Sequence, residues 1–310
     1  MKGFNFNVVE IYEEPRKKIL PKLDSKGYGP EMSEFESGFL CGLIKEFRPD
    51  TIVEAGVAGG GTTAVILQCL LELGMHECDL YSIDYSEKFY RDKNLKTGFM
   101  GEQAKQLAGI PFRHHVCLGN IACNYMKQYG CNIDFLIIDT MHILPGEILD
   151  FITLLPYLKD GCIVVLHDIS YGLISDLTQG YATSVLFSAV TAEKYLNYDK
   201  RQKGRYPNIG AFRVSDETRR NAGNLFLSLI ITWSYLPDMK QLKEYRKAVR
   251  EHYSEEMLEI FDNAVRMNYE SWSRNRKLSV RCKKAVQQLR KFAAFMKHKL
   301  TDNKGYGKQV

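Results

Sequence analysis

Residues 51–67 read TIVEAGVAGGGTTAVIL. An apolar strand there runs into a glycine-rich turn and then into a helix. In a doubly wound sheet such a turn lies beyond the carboxyl ends of the strands, where ligands bind. Glycines let backbone amides approach a ligand closely, and Thr62 and Thr63 suit the start of a helix. The dinucleotide pattern G-x-G-x-x-G needs a glycine at position 58, where this chain has Ala58. Glu54, penultimate in the strand, adds negative charge where a pyrophosphate gains nothing from it. A ligand carrying a sulfonium, an ammonium and no phosphate, as S-adenosylmethionine (SAM) does, gains from it directly. A tight turn that binds nothing is the plainer alternative.

Three further segments end in ionisable groups. Asp84 closes LYSID, 28 residues after Gly56, where an acidic residue can accept both hydroxyls of a ribose. Asp139 ends the apolar run of DFLIIDTMH, and His142 follows in the loop; CIVVLHDIS ends in His167 and Asp168. A polar rim on apolar strands marks a site better than it marks packing. Imidazole titrates near neutral pH, so His142 and His167 are the candidate bases; the structural alternative for each is a hydrogen bond to a loop carbonyl. His114 and His115, in and beside the third strand, read as structural. Tyr171 and Tyr181, in the segment after Asp168, suit stacking on a sugar or planar acceptor, or simply belong to a surface loop.

The elements that must position these groups alternate. Strand-type runs occur at 51–55, 80–84, 112–117, 134–139 and 162–167. Helical stretches are expected at 33–47, 62–73, 98–108, 120–129 and 147–158, then from Thr183 to Tyr195. A short stretch at 196–199 and a strand at 209–214 are expected to pair as a closing hairpin. Such alternation implies a parallel sheet covered on both faces with right-handed crossovers. Residues 1–32 read as an irregular lead-in, with Pro15, Pro21 and Pro30 breaking periodicity. Beyond Ser215 no strand signal remains. The division is therefore a lead-in at 1–32, an α/β domain at 33–215, a helical appendage at 216–300 and a tail at 301–310.

The net charge of +5 is concentrated: residues 277–310 hold ten Lys or Arg and one Asp, so the rest of the chain is acidic. Val286, Leu289, Ala293, Met296 and Leu300 form an apolar stripe amid those cations. Such a helix packs on its own protein or on a second subunit, lies on an anionic membrane, or binds a polyanion. The N-terminus lacks the basic and apolar blocks of a secretory signal. The eight cysteines form no C-x-x-C pair and read as reduced thiols. A cytoplasmic protein, at most peripheral at a membrane, is expected. The acidic main domain argues against a nucleic-acid partner.

Taken together, E-x-G-x-x-x-G-G-T, then D, then I-D-x-x-H, then L-x-P-x-L-x-x-G-x-x-x-x-x-H-D resembles class I SAM-dependent methyltransferases. More narrowly it resembles the group of macrocin-type and rhamnosyl O-methyltransferases and cephalosporin hydroxylase-like proteins, over roughly residues 33–215. The resemblance implies a Rossmann-like fold with a mostly parallel seven-stranded sheet. It implies that Glu54, Gly56, Gly60, Gly61 and Thr62 line the amino-acid end of SAM and that Asp84 holds the ribose. Gly119 or Asn120 would approach the adenine, with Asp139 beside the methyl donor. In metal-dependent relatives, positions 139, 167 and 168 bind magnesium. Here the set would be Asp139, His167 and Asp168, and the imidazole favours a Mn-like or Fe-like ion over Mg. The implied activity is O-methylation of a hydroxyl on a glycan or small-molecule acceptor. The competing readings are a NAD-dependent oxidoreductase, which Ala58 and Glu54 disfavour, and a non-catalytic binding protein docking through its basic tail.

Overall fold

The computed structural model describes residues 6–109, 112–130, 132–174, 180–198 and 206–276. In chain order the first elements are α1 (Glu14–Ile19), α2 (Glu34–Phe47), β1 (Thr51–Ala55), α3 (Gly61–Glu72), β2 (Asp79–Asp84) and α4 (Phe99–Ala108). They are followed by β3 (His114–Leu118), α5 (Ala122–Tyr129), β4 (Ile133–Ile138), α6 (Gly146–Leu154) and β5 (Leu158–His167). Then come α7 (Tyr171–Ile174), α8 (Ala182–Ala189), β6 (Glu193–Tyr195) and β7 (Ile209–Arg213). Four helices complete the described chain: α9 (Asp216–Arg220), α10 (Gly223–Ser228), α11 (Met239–His252) and α12 (Glu255–Arg276).

The strands form one seven-stranded sheet in the order β3-β2-β1-β4-β5-β7-β6. The first five run parallel, and β7 is antiparallel to both β5 and β6. This is the doubly wound, mostly parallel sheet expected of a Rossmann-like methyltransferase. Helices α1–α4 pack together, and α5, α6, α8, α10 and α11 form a second group. The central strands bury both faces, as parallel strands do. Phe135, Ile137, Ile163 and Val165 join the core with α2 and α3, and the alternate residues Leu136, Ile138, Val164 and Leu166 are equally buried. Truncating one of them, as in Ile137→Ala, would cost about 2–5 kcal/mol.

Three expectations need correction. The lead-in contains α1, because Pro15 stands in the first helical turn, where its missing N–H goes unused. The helix expected from Thr183 to Tyr195 stops at Ala189, and residues 193–195 pair with β7 instead, so the closing hairpin uses that stretch rather than 196–199. The change of composition near 215 ends the sheet but not the compact unit, which runs through Phe261 and includes α9–α11. Tyr245 donates to Asp150 Oδ1 on α6 at 2.9 Å, and Tyr253 donates to the Ile152 carbonyl at 2.6 Å. A second unit begins at Asp262, within α12. The basic stripe at 286–300 and the tail at 301–310 lie outside the described residues. Among the described residues, no helix is long and apolar enough to cross a membrane.

Two close approaches fix the rim. Gly56 adopts φ +94°, and a Cβ there would fall 1.9 Å from the Asp139 carbonyl oxygen. Only glycine lets the turn after β1 abut the end of β4 so closely. The Asp139 amide donates to the Ala55 carbonyl and the Gly56 amide to the Ile83 carbonyl, both at 2.9 Å, which stitches the ends of β4, β1 and β2 together.

Candidate active site

A cavity of about 1230 Å³ opens at the carboxyl ends of the strands. That exceeds the roughly 300–1,000 Å³ of a site for one small ligand, so it has room for two. Of the residues expected in the site, Gly56, Thr62, Asp84, Asn120, Asp139, His142, His167 and Asp168 line it. Glu54, Gly60, Gly61 and Gly119 do not. Tyr171 lines it, its ring 5.2 Å from that of His142, whereas Tyr181 does not.

Asp139, His142, His167 and Asp168 converge. His142 Nε2 lies 3.6 Å from Asp139 Oδ1 and 3.4 Å from Asp168 Oδ2. His167 Nδ1 lies 3.2 Å from Asp139 Oδ1 and 3.7 Å from Asp168 Oδ2, while its Nε2 faces Glu36 Oε1 at 3.6 Å. The two histidines differ in access: the His167 side chain is 5% exposed and that of His142 21%. Burial lowers the pKa of His167, but Asp139, Glu36 and Asp168 outweigh it and raise the group well above its ordinary value. Burial would raise Asp139, yet the two imidazoles hold it below the usual carboxylate range. Glu36 is pulled down to about 2 against its burial by His167 and Ser33. His167 thus stands among three carboxylates, its Nδ1 hydrogen-bonded to Asp139 and its Nε2 facing Glu36. His142 is the histidine that presents an edge to the cavity.

Ligand-type atoms of Asp139, His142 and Asp168 all lie within 4.8 Å of one another. The metal set expected from sequence had His167 with the two aspartates; among the described residues the grouped set has His142 with them and not His167. Two carboxylates and an imidazole fit a Mn-like or Fe-like ion better than magnesium, which prefers oxygen alone.

The glycine-rich turn is organised from beneath. Asp84 Oδ2 accepts the amides of Val57 (3.0 Å) and Ala58 (3.1 Å), and Oδ1 accepts that of Ser86 (2.7 Å). These bonds hold Ala58 at φ +48°, an unusual conformation for a residue with a side chain. They leave about one of the roughly four lone-pair sites of the carboxylate free toward the cavity. Glu54 faces away from the cavity. Its Oε2 accepts Thr63 Oγ1 and Ser82 Oγ, each at 2.7 Å, and Ser82 Oγ in turn lies 3.1 Å from His114 Nε2. Full burial pushes Glu54 up to about 7 against those two hydrogen bonds, and burial lowers His114 to about 4. Glu54 therefore belongs to a closed network behind the turn, not to the ligand-facing wall.

Sequence reasoning missed several lining groups. Arg16, Glu31 and Glu36 come from the lead-in and α2, Asn208 precedes β7, and Asp150, Tyr235 and Tyr245 come from α6 and the C-terminal helical segment. Asn208 Nδ2 donates to Asp168 Oδ1 (2.6 Å) and to Glu36 Oε1 (3.0 Å), so it sets the orientation of both carboxylates. The capping box Ser33-x-x-Glu36 was the one local signal available, and it marks a helix start rather than a site.

Residues 53–169 match the family model of a methyltransferase domain. No curated protein matches the chain. Among solved structures, the Bacillus cereus O-methyltransferase in complex with S-adenosylhomocysteine is similar at 13% identity and a TM-score of 0.47, over 65% of this chain and 91% of its own. A Streptomyces achromogenes O-methyltransferase of tomaymycin synthesis, in complex with SAM, is similar at 16% identity and 0.43, over 66% and 87%. A TDP-rhamnose 3'-O-methyltransferase of calicheamicin biosynthesis is similar at 13% identity and 0.43, over 57% and 77%.

Proposed function

We propose that this protein is a SAM-dependent methyltransferase that methylates a hydroxyl on a small-molecule or glycan acceptor. One observation carries the choice of cofactor. The amides of Val57 and Ala58, which in a dinucleotide-binding turn would face the pyrophosphate, already donate to the Asp84 carboxylate. An anion occupies that position from within the protein, so a second anion is repelled and a cationic, phosphate-free nucleoside is favoured. This supports SAM over NAD, and the matched methyltransferase domain supports it independently.

When bound, SAM supplies a methyl group whose bond to the cationic sulfur breaks as a bond to the acceptor oxygen forms, leaving S-adenosylhomocysteine. The remaining free site on Asp84 and the backbone around Gly56 hold the nucleoside. Tyr171 stands beside His142, where it flanks the acceptor. His142 Nε2 takes the proton of the acceptor hydroxyl, because of the two rim histidines its side chain is the more exposed. A divalent ion held by Asp139, His142 and Asp168 would instead acidify that hydroxyl as a Lewis acid.

The test is calorimetric titration with SAM and, separately, with NAD, each repeated after EDTA and with added Mn²⁺. SAM is expected to bind and NAD not to. Asp84→Asn, which loses both ribose and turn contacts, should weaken SAM binding roughly 10–100-fold. Tight NAD binding with no SAM binding would overturn the reading.

A further inference from the structure

Three buried polar atoms beside the rim have no hydrogen-bond partner among the described residues: Nε2 of His167, Nδ1 of His142 and Oε2 of Glu147; the last two belong to neighbouring side chains. Glu147 lies in the first turn of α6, fully buried and behind His142 rather than on the cavity wall. Its Oε1 accepts the backbone N–H of His142, and the same oxygen lies 3.5 Å from His142 Nδ1. The imidazole therefore stands between carboxylates on both edges, with Nδ1 toward Glu147 and Nε2 toward Asp139 and Asp168. His142 adopts φ +60°, which a non-glycine residue keeps only when its surroundings impose it. The bond from its own N–H to Glu147 is such a constraint.

The two sides are not equivalent. Asp139 and Asp168 are served by His167 and Asn208. Glu147 has backbone amides and His142. A buried carboxylate is costly unless it faces a donor. A neutral imidazole has one N–H and one lone pair. An N–H on Nδ1 satisfies the orphaned nitrogen by facing Glu147 Oε1, the oxygen that already accepts the backbone N–H of His142; closing the 3.5 Å gap to a normal bond length takes only about 0.6 Å.

We infer that Glu147 is a positioning residue for His142: it accepts the Nδ1–H and so fixes the tautomer that turns the Nε2 lone pair toward the gap between Asp139 and Asp168. The use of that lone pair, on a hydroxyl proton or on an ion, rests on the methyl-transfer reading. The tautomer rests on the geometry alone.

Nitrogen-15 NMR of the metal-free, full-length protein reads the tautomer directly, with the His142 signals assigned from their loss in His142→Gln. Read at a pH where the ring is neutral, His142 of the wild type should carry its proton on Nδ1. An Nε2–H tautomer would overturn the inference, and this measurement needs no variant of Glu147. In Glu147→Gln the Nδ1–H preference should weaken. Calorimetric SAM binding should stay unchanged, and kcat should fall about 10–100-fold with little change in the acceptor KM. Glu147→Asp, which keeps the charge, should recover part of both effects. An unchanged tautomer in Glu147→Gln would also overturn the inference. Failure of SAM to bind the wild type, with the Nδ1–H tautomer present, would instead sink the methyltransferase reading and leave this one standing.

Discussion

Two groupings in this protein use the same ingredients, carboxylate and histidine, to opposite ends. Behind the glycine-rich turn, Glu54 is closed off by Thr63 and Ser82, with His114 beyond. At the ends of β4 and β5, Asp139 and Asp168 meet His142 and His167 at the edge of a cavity. The first grouping is neutralised: burial raises the acid and lowers the base, so neither carries charge readily. In the second, the burial of Asp139 and of His167 is outweighed by opposite charge, which favours their charged forms. Residue type alone does not make a site. What separates the two is whether the groups are buried behind the turn or line a space that another molecule can enter.

The largest expected effect separates them by activity. Asp168→Asn keeps the shape of the rim but removes its charge, and kcat should fall by about 10²–10⁴-fold. Ser82→Ala, in the closed network, should leave kcat within about twofold and cost about 1–3 kcal/mol of stability. Paired steady-state kinetics and urea denaturation read both; a loss of activity in Ser82→Ala equal to that in Asp168→Asn would dissolve the contrast.

A smaller effect is in pH. Glu54 rises from its ordinary 4.5 to about 7 in the folded protein. Between those values the native state holds a proton that the unfolded chain has released. The stability contributed by this group is full below pH about 4.5 and is lost as pH rises to about 7, by on the order of 3 kcal/mol. Glu54→Gln, whose carbonyl can still accept from Thr63 and Ser82, should therefore gain stability relative to the wild type as pH rises from 5 to 8. Parallel profiles of urea midpoint against pH would show that Glu54 does not titrate in this window. The smallest effect concerns the wall from the C-terminal segment. Tyr245→Phe removes the hydrogen bond to Asp150 and should cost about 0.5–1.5 kcal/mol, visible as a lower Tm.

The sheet was legible because its strands are short, continuous apolar runs bounded by glycines and acids; β1 occupies the residues read for it. The rim was legible for the same reason, since a strand's last residue reaches its carboxyl end wherever the strand lies. β6 was not legible. Its residues Glu193-Lys194-Tyr195 are largely polar, and they become a strand only because β7 and Asn7 supply hydrogen bonds. Nor were Glu36 and Asn208, which stand 172 positions apart yet share a hydrogen bond. No local pattern encodes a pairing set by an antiparallel strand laid beside β5. Glu54 was read as a ligand-facing carboxylate because its place in the strand was visible, whereas the two hydroxyls that turn it inward lie on α3 and β2.

The wall of the cavity draws on Arg16 near one end of the chain and on Tyr245 far along it. The stretch that completes the strand order, β7, and the stretch that completes the wall, α11, are separate, so the sheet and the cavity make different demands on the sequence.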